Sequence, residues 1–216
     1  MDELLTDDDM KLYAEKNAII ENSTSKRAQL ILLGLAFMSM LFLSMIQLTN
    51  FTFGHDGKLF YSSETPKCFL LTVLLGISMF TALFDCLNAK TTLAIYCGYF
   101  GIPLLTGILS IFSLRGEFIM FYLIGTIIPN LLCLLFCILF FAGKQTKSPV
   151  PLYIASGIYG TIGIITCFNR FLSSIRIRDS YLLMDCMLSS LANLAMLVLL
   201  VVMVYALHRK RKLSAN

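Results

Sequence analysis

Six long apolar runs alternate with shorter polar segments along the chain. The last run, residues 181–207, is followed at once by His208 and four consecutive Lys or Arg residues. A helix of about 20 apolar residues crosses the hydrocarbon core of a bilayer, which is about 30 Å thick. Because that core offers no water to backbone polar groups, each run is expected to be helical. The pattern predicts six membrane-spanning helices, at residues 28–48, 69–87, 92–114, 118–142, 152–168 and 181–207.

The composition supports the same class of protein. Of the 216 residues, 57% are hydrophobic and only 14% are charged, whereas soluble domains carry about 25% charged residues. A water-soluble domain of this size could not bury so many apolar side chains, so lipid must solvate part of them. We therefore predict an all-α, polytopic integral membrane protein whose main partner is the lipid bilayer. The sequence does not distinguish the plasma membrane from an endomembrane.

The positions of the basic residues predict the orientation. Six spans place both termini on one side of the membrane. With the termini in the cytoplasm, eleven Lys or Arg residues are cytoplasmic and six are outside, which agrees with the positive-inside rule. Because these bases lie at the ends of the spans, the net charge of +4 does not indicate a nucleic-acid partner.

The predicted fifth span is the weakest part of this topology. Residues 152–168 are only just long enough to cross, and Arg170, Arg176 and Arg178 then fall together in one outer loop. A re-entrant fifth segment would return that loop to the cytoplasm. The four basic residues after position 208 would then have to be translocated, which the positive-inside rule disfavours. The prediction therefore remains six spans with cytoplasmic termini.

The chain divides into a transmembrane domain at residues 28–207 and two terminal segments. Residues 1–27 carry seven acids and four bases and are predicted to form an acidic cytoplasmic segment with a short amphipathic helix. Residues 208–216 form a basic cytoplasmic tail. The predicted outer loop, 49–67, contains Asn50 at the start of an Asn-Phe-Thr glycosylation sequon, close to the membrane edge.

Polar residues inside the apolar runs are the strongest indication of a functional site, because each costs free energy in lipid. Asp185, Ser189 and Asn193 are spaced four residues apart and share one stripe of the last helix. Asn130 follows Pro129 near the middle of the fourth span, at a depth similar to that of Asn193. These four residues predict a polar layer at the midplane that could hold a solute or an ion. The alternative is that the two asparagines bond to each other and Asp185 meets water or Arg178.

A further acid, Asp85, lies at the predicted inner end of the second span. We interpret it as a boundary carboxylate paired with Lys90, Lys144 or Arg209, with a gate salt bridge as the alternative. In either role it lies on the membrane face opposite to Asp185. The two acids therefore cannot cooperate in catalysis.

The sequence offers little for catalysis or metal binding. His55 lies in a loop and His208 in the basic tail, and there is no GxSxG, HExxH or P-loop motif. We therefore predict no catalytic residue, no cofactor and no metal site. Cys133 and Cys137 share a helix face with i, i+4 spacing, but with no histidine nearby they are expected to be packing residues.

The seven cysteines contain no CxxC pair, so no zinc ribbon or thioredoxin-type motif is indicated. Three of them, Cys68, Cys167 and Cys186, map near the predicted outer surface. If that side is oxidising, two of the three could form a disulfide. The sequence does not say which two.

Three function classes remain, and the third, an intramembrane enzyme, has the least support in the sequence. The first is a non-catalytic structural, accessory or trafficking component that packs against membrane partners through the small-residue helix 152–168, where Gly157, Gly160 and Gly163 permit close approach. The second is a small-solute or ion transporter or channel built on the midplane polar layer. A water-accessible cavity lined by Asn130, Ser189 and Asn193 would favour transport, whereas a dry interface would favour the structural role.

Overall fold

The protein is described here by a computed structural model covering residues 26–48, 64–84, 89–112, 118–142, 148–177 and 180–213. Within these ranges all regular structure is helical and there is no strand. Six helices are each long and apolar enough to cross a membrane. They are α1 (Lys26–Leu48), α2 (Glu64–Leu83), α3 (Ala89–Ile111), α4 (Phe118–Tyr122, a π-helical turn at Leu123–Ile127, and Ile128–Phe141), α5 (Val150–Ile177) and α6 (Ser180–Leu213). For the described residues, the predicted all-α class is confirmed, and so is the presence of six helices long and apolar enough to cross a membrane.

The largest difference from the predicted bounds is in α5. This helix has 28 residues, which at 1.5 Å per residue corresponds to a length of about 42 Å. It is continuous, so the re-entrant alternative is excluded, and the prediction that Arg170 and Arg176 lie in an outer loop is wrong. Asn169, Ser173 and Ser174 lower both the hydropathy and the intrinsic helix propensity. Arg170 and Arg176 are good helix formers with long apolar stems, and the helix continues through them.

The other bounds shift by a few residues. The helix α2 begins at Glu64, so the last residues of the predicted 49–67 loop are helical. Pro66 is tolerated there because backbone N–H groups in the first turn have no partner within the helix. At the other end of the chain, α6 continues to Leu213, so the first residues of the predicted tail at 208–216 extend the last helix.

The helices form a bundle in which neighbours along the chain pack together. Packing joins α2 to α3, α3 to α4, α4 to α5 and α5 to α6. At the α1–α2 contact, the Thr72 hydroxyl lies 2.8 Å from the Ser44 hydroxyl and 3.0 Å from the Met40 carbonyl oxygen. The end of α1 reaches the start of α6, where Gln47 Nε2 lies 3.4 Å from Asp185 Oδ1. The bundle is therefore closed by a contact between its first and last helices.

These contacts define two ends of the bundle. We call the end that carries Gln47, Lys67, Arg170 and Asp185 the mouth face. The opposite end, where α1 begins and α6 ends, is the tail face. The half of the bundle nearer the tail face is filled by aromatic rings. Tyr96 stacks on Phe141 at 6.4 Å between ring centroids, and Phe100 meets Tyr159 edge-on at 5.3 Å.

The outward surface of the bundle is apolar on every helix. Large hydrophobic side chains are more than half exposed on α1, α2, α3, α5 and α6, for example Ile31, Phe80, Leu109, Ile164 and Leu194. Water-soluble monomers do not expose contiguous apolar surface of this extent. The helix lengths and this surface agree with a multi-pass membrane protein whose outer faces contact lipid.

Candidate functional site

A cavity of about 180 Å³ runs from the mouth face into the middle of the bundle. Every helix contributes to its wall, with Leu43, Cys68, Tyr99, Asn130, Tyr159 and Asn193 as one representative of each. The four residues singled out from the sequence, Asn130, Asp185, Ser189 and Asn193, all line this cavity. They do not form one flat layer, because Asp185 lies at the mouth and the two asparagines lie at the inner end.

Asn193 joins three helices at the inner end of the cavity. Its Oδ1 accepts a hydrogen bond from the Tyr99 hydroxyl of α3 at 2.5 Å and faces the Tyr159 hydroxyl of α5 at 3.4 Å. Because the oxygen receives both hydroxyls, the amide nitrogen of Asn193 remains as the donor on the cavity wall. Hydrogen bonds between membrane helices contribute only about 0.6 kcal/mol each on average, but they fix the orientation of the amide.

Asn130 is buried, with 3% of its surface exposed. Its Nδ2 donates to the Thr126 carbonyl of the preceding turn at 2.7 Å. Its Oδ1 has no hydrogen-bond partner among the described residues. A buried acceptor left unpaired costs about 1–3 kcal/mol, and this oxygen belongs to a residue of the cavity wall. The two asparagines do not bond to each other, contrary to the alternative considered from the sequence.

The backbone beside Asn130 departs from α-helical geometry. In the π-helical turn, the Ile128 N–H donates to the Leu123 carbonyl instead of that of Ile124. Pro129 has no N–H, so the Gly125 carbonyl also lacks the donor that an α-helix supplies. Such π-helical turns are frequent at functional sites. The distortion therefore lies at the part of the cavity wall that Gly125, Thr126 and Asn130 form.

The mouth of the cavity carries charges. Arg170 Nη1 lies 3.6 Å from Asp185 Oδ2, and both side chains are partly exposed. Gln47 Nε2 contacts the other oxygen of the same carboxylate at 3.4 Å, and Lys67 also lines the cavity. Asp185 therefore meets Arg170 of the adjacent helix, whereas the sequence suggested Arg178, which lies outside the described residues.

A second polar group lies between the mouth and the inner end. The Sγ atoms of Cys167 and Cys186 are 2.9 Å apart, and the Ser190 hydroxyl donates to Cys167 Sγ at 2.8 Å. The Ser189 hydroxyl donates to the Cys186 carbonyl of its own helix at 3.2 Å. Ser189 therefore presents oxygen lone pairs rather than a free donor to the cavity.

Sequence reasoning missed Tyr99, Tyr159 and Arg170. A signal was present in α5, where Tyr159, Gly163, Thr166 and Arg170 follow one another at spacings of four, three and four and so share one face. It was missed because tyrosine was counted with the apolar residues and because the fifth span was expected to end at position 168.

The remaining sequence predictions fall elsewhere. Asn50, Asp85 and residues 1–25 lie outside the described residues. Cys133 and Cys137 are both fully buried in the tail half. In the small-residue helix, Gly160 lies against Leu197 of α6, where an added Cβ would meet its Cδ1 at 3.3 Å, while Gly163 lines the cavity. Among the described residues no group of three or more His, Cys, Asp or Glu side chains could hold a metal ion.

The chemistry of the cavity is that of neutral hydrogen bonding with charges at the entrance only. The described lining includes one carboxylate, Asp185, and no histidine. No family model, curated protein or solved structure matches the chain. What the protein does must therefore be inferred from the cavity.

Proposed function

We propose that the protein binds a small, uncharged, hydrogen-bonding solute in the cavity and carries it across the membrane. The observation that carries the proposal is Asn130 Oδ1, a buried acceptor without a partner among the described residues, on the wall of a cavity that all six helices line. Asn193 supplies a donor close by, and the tyrosines fix its direction. A polar group left unpaired in a membrane interior is costly unless something in the cavity binds it.

The size and charge of the site support this class of solute. An engineered protein cavity of about 150 Å³ takes up benzene, so a cavity of about 180 Å³ suits a molecule of comparable or slightly larger size. The inner end carries amides, hydroxyls and backbone carbonyls but no charged side chain among its described residues. A charged solute would meet no counter-charge there, so a neutral polar solute such as a small amide or polyol fits best.

Transport, rather than binding alone, is supported by the difference between the two halves of the bundle. The cavity opens toward the mouth face, while Tyr96, Phe100 and Phe141 fill the tail half. One open and one closed side is the arrangement of a single state in alternating access. Beside the site, Pro103 removes one backbone donor inside α3, and the π-helical turn interrupts the α-helical geometry of α4. Transporters commonly place broken helices around a midplane binding site.

The orientation belongs to the same proposal. The eleven-to-six bias of basic residues favours a cytoplasmic tail face. The mouth then faces the outer side, and the described state is open outward. Arg170 and Arg176 belong to α5 rather than to a loop, but both lie toward the mouth face, so the bias is unchanged.

Flux measurements on reconstituted protein test the proposal. Proteoliposomes are challenged with a panel of small neutral amides and polyols, and volume recovery is followed by stopped-flow light scattering. We expect flux above that of empty liposomes for at least one solute, and a loss of tenfold or more in Asn130→Leu. Ser156→Ala is the matched control, because Ser156 is also buried but bonds to its own helix away from the cavity.

Two results would reject the transport function. One is the absence of flux for every solute in the panel, and the other is an Asn130→Leu variant that matches the wild type. Folding of the variant is checked by its melting temperature. We expect Asn130→Leu to melt at or above the wild-type temperature, because the substitution removes an unpaired buried oxygen.

A structural or accessory role is the second candidate, and the outward face of α5 favours it. An added Cβ at Gly157 would meet no described atom within 4 Å, and Ile154 and Ile158 beside it are exposed. Gly157 and Thr161 are four residues apart, the spacing that lets another membrane helix approach closely. If this role holds, Gly157→Leu abolishes co-purification of a membrane partner and leaves solute flux unchanged.

A further inference from the structure

We propose that Cys167 and Cys186 are a redox-active dithiol that closes to a disulfide and ties α5 to α6 beside the cavity. Their Sγ atoms lie 2.9 Å apart on two different helices. Cys186 Sγ also contacts the Cys167 carbonyl at 3.2 Å, which holds the second thiol against the first. The sequence placed three cysteines near the outer surface without indicating a pair, and the fold brings these two into contact.

The other described cysteines are arranged differently. Cys133 and Cys137 lie on one helix and are fully buried in the tail half, so a bond between them would join no two helices. Cys68 lies on α2 and is buried at the cavity wall. Among the thiols that the structure describes, only Cys167 and Cys186 combine a contact between two helices with access from the cavity.

Access to the pair is from the mouth face. Both residues line the cavity, but Cys167 is partly exposed whereas Cys186 is almost completely buried. A small oxidant entering the cavity therefore meets Cys167 first. If the mouth faces the outer side, as proposed above, the compartment that it meets permits disulfides.

The reaction is a dithiol–disulfide exchange with a small-molecule disulfide as the oxidant. Cys167 loses its thiol proton, and its sulfur attacks one sulfur of the small disulfide, breaking that S–S bond and releasing one thiol. The Cys186 thiolate then attacks Cys167 Sγ in the mixed disulfide and releases the second thiol. Two protein thiols are oxidised to one disulfide, and one small disulfide is reduced to two thiols.

Ser190 is a positioning residue for this exchange, because its hydroxyl contacts the attacking sulfur. The hydroxyl donates to Cys167 Sγ at 2.8 Å and so holds that sulfur in place beside Cys186. The bridge would lie within one helical turn of the Arg170–Asp185 ion pair, because Arg170 is three residues after Cys167 and Asp185 directly precedes Cys186. Oxidation therefore fixes the two mouth-lining segments of α5 and α6 relative to each other.

Counting thiols in the full-length protein tests the proposal. Purified protein in detergent is treated with cystamine or with dithiothreitol, denatured, alkylated with N-ethylmaleimide and digested for mass spectrometry. Of the seven thiols in the chain, we expect two fewer to be alkylated after cystamine than after dithiothreitol. The missing two should appear as a cross-linked peptide that joins Cys167 to Cys186.

Variants separate the bridge from non-specific oxidation. We expect Cys68→Ser to keep the cross-linked peptide and Cys167→Ser to lose it. Ser190→Ala should slow bridge formation several-fold without changing its site, an effect that a purely packing role would not produce. The proposal is overturned if wild-type Cys167 and Cys186 are both alkylated after cystamine, if Cys167 remains a mixed disulfide, or if another cysteine forms the bridge.

The thiol count requires no solute and no flux. It can therefore fail while transport is retained, and an absence of transport leaves the expected cross-linked peptide unchanged. The two proposals are tested by separate measurements on the same protein.

Discussion

The mouth half and the tail half of the bundle are built from the same helices but differ in what their polar groups do. On α3, the Tyr96 hydroxyl donates to the Met196 carbonyl of α6 at 3.1 Å, in a fully buried contact. One turn further along, the Tyr99 hydroxyl donates to Asn193, which lines the cavity. The Tyr96 hydroxyl joins α3 to α6 in a buried contact, whereas the Tyr99 hydroxyl orients the Asn193 amide at the cavity wall.

Side-chain size distinguishes the two halves of the bundle among the described residues. In the tail half, Tyr96, Phe100 and Phe141 fill the space between α3 and α4. In the mouth half, Gly125 and Gly163 line the cavity, and an added Cβ at either position would meet no described atom within 4 Å. A cavity therefore persists where glycine replaces a side chain, and it is polar because asparagines and hydroxyls surround it.

The largest effect is expected when a larger side chain fills the cavity in the mouth half. Gly163 lines the cavity, and a leucine there would meet no clash at its Cβ. We expect Gly163→Leu to reduce solute flux at least tenfold while the melting temperature stays close to that of the wild type. Gly157→Leu is the matched control on the same helix, since its Cβ also meets no described atom but the residue does not line the cavity. Equal flux in both variants would contradict the proposed path.

An intermediate effect is expected from the two tyrosines. Tyr99→Phe removes one of the hydroxyls that orient Asn193, and a hydrogen bond of about 1 kcal/mol corresponds to roughly a fivefold loss of solute affinity. Tyr96→Phe removes a hydroxyl in the dry half and should lower the unfolding free energy by about 1 kcal/mol with flux unchanged. Solute titration of the melting temperature and flux assays measure both. A Tyr96 variant that loses affinity as much as the Tyr99 variant would remove the distinction between the halves.

The smallest effect is expected at the charged mouth. Arg170 and Asp185 are partly exposed, and exposed ion pairs contribute about 0–1 kcal/mol. We expect Arg170→Gln to change the unfolding free energy by less than about 1 kcal/mol and flux by no more than about twofold to threefold. A loss of flux comparable to that of Gly163→Leu would show that the pair belongs to the binding site itself.

The sequence predicted the helices well and the cavity only in part. Apolar runs determine helix number because backbone groups in lipid must be paired within their own segment, and that constraint does not depend on neighbours. Asp185, Ser189 and Asn193 could be assigned to one stripe from their spacing alone. The partners Tyr99 and Tyr159 could not, because the rotation of each helix about its axis follows from packing between helices.

The end of α5 shows the second limit. Hydropathy falls at Asn169 and Arg170, yet the helix continues to Ile177. Arg170 there pairs with Asp185 of α6, a contact between two helices that hydropathy along one chain segment does not encode. The pairing of Cys167 with Cys186 could not be predicted for the same reason. The sequence placed three cysteines near one surface, and only the fold selects two of them.

The most direct test of the central claim is the reactivity of cysteines placed in each half. In a background with Cys68, Cys167 and Cys186 replaced by alanine, Ser189→Cys and Met203→Cys are exposed to a membrane-impermeant methanethiosulfonate reagent on sealed cells. Ser189 lines the cavity, whereas Met203 is buried toward the tail face. We predict rapid modification at position 189, slowed by a transported solute, and none at position 203. Unreactive thiols at both positions, or equal reactivity at both, would contradict a solute cavity confined to the mouth half.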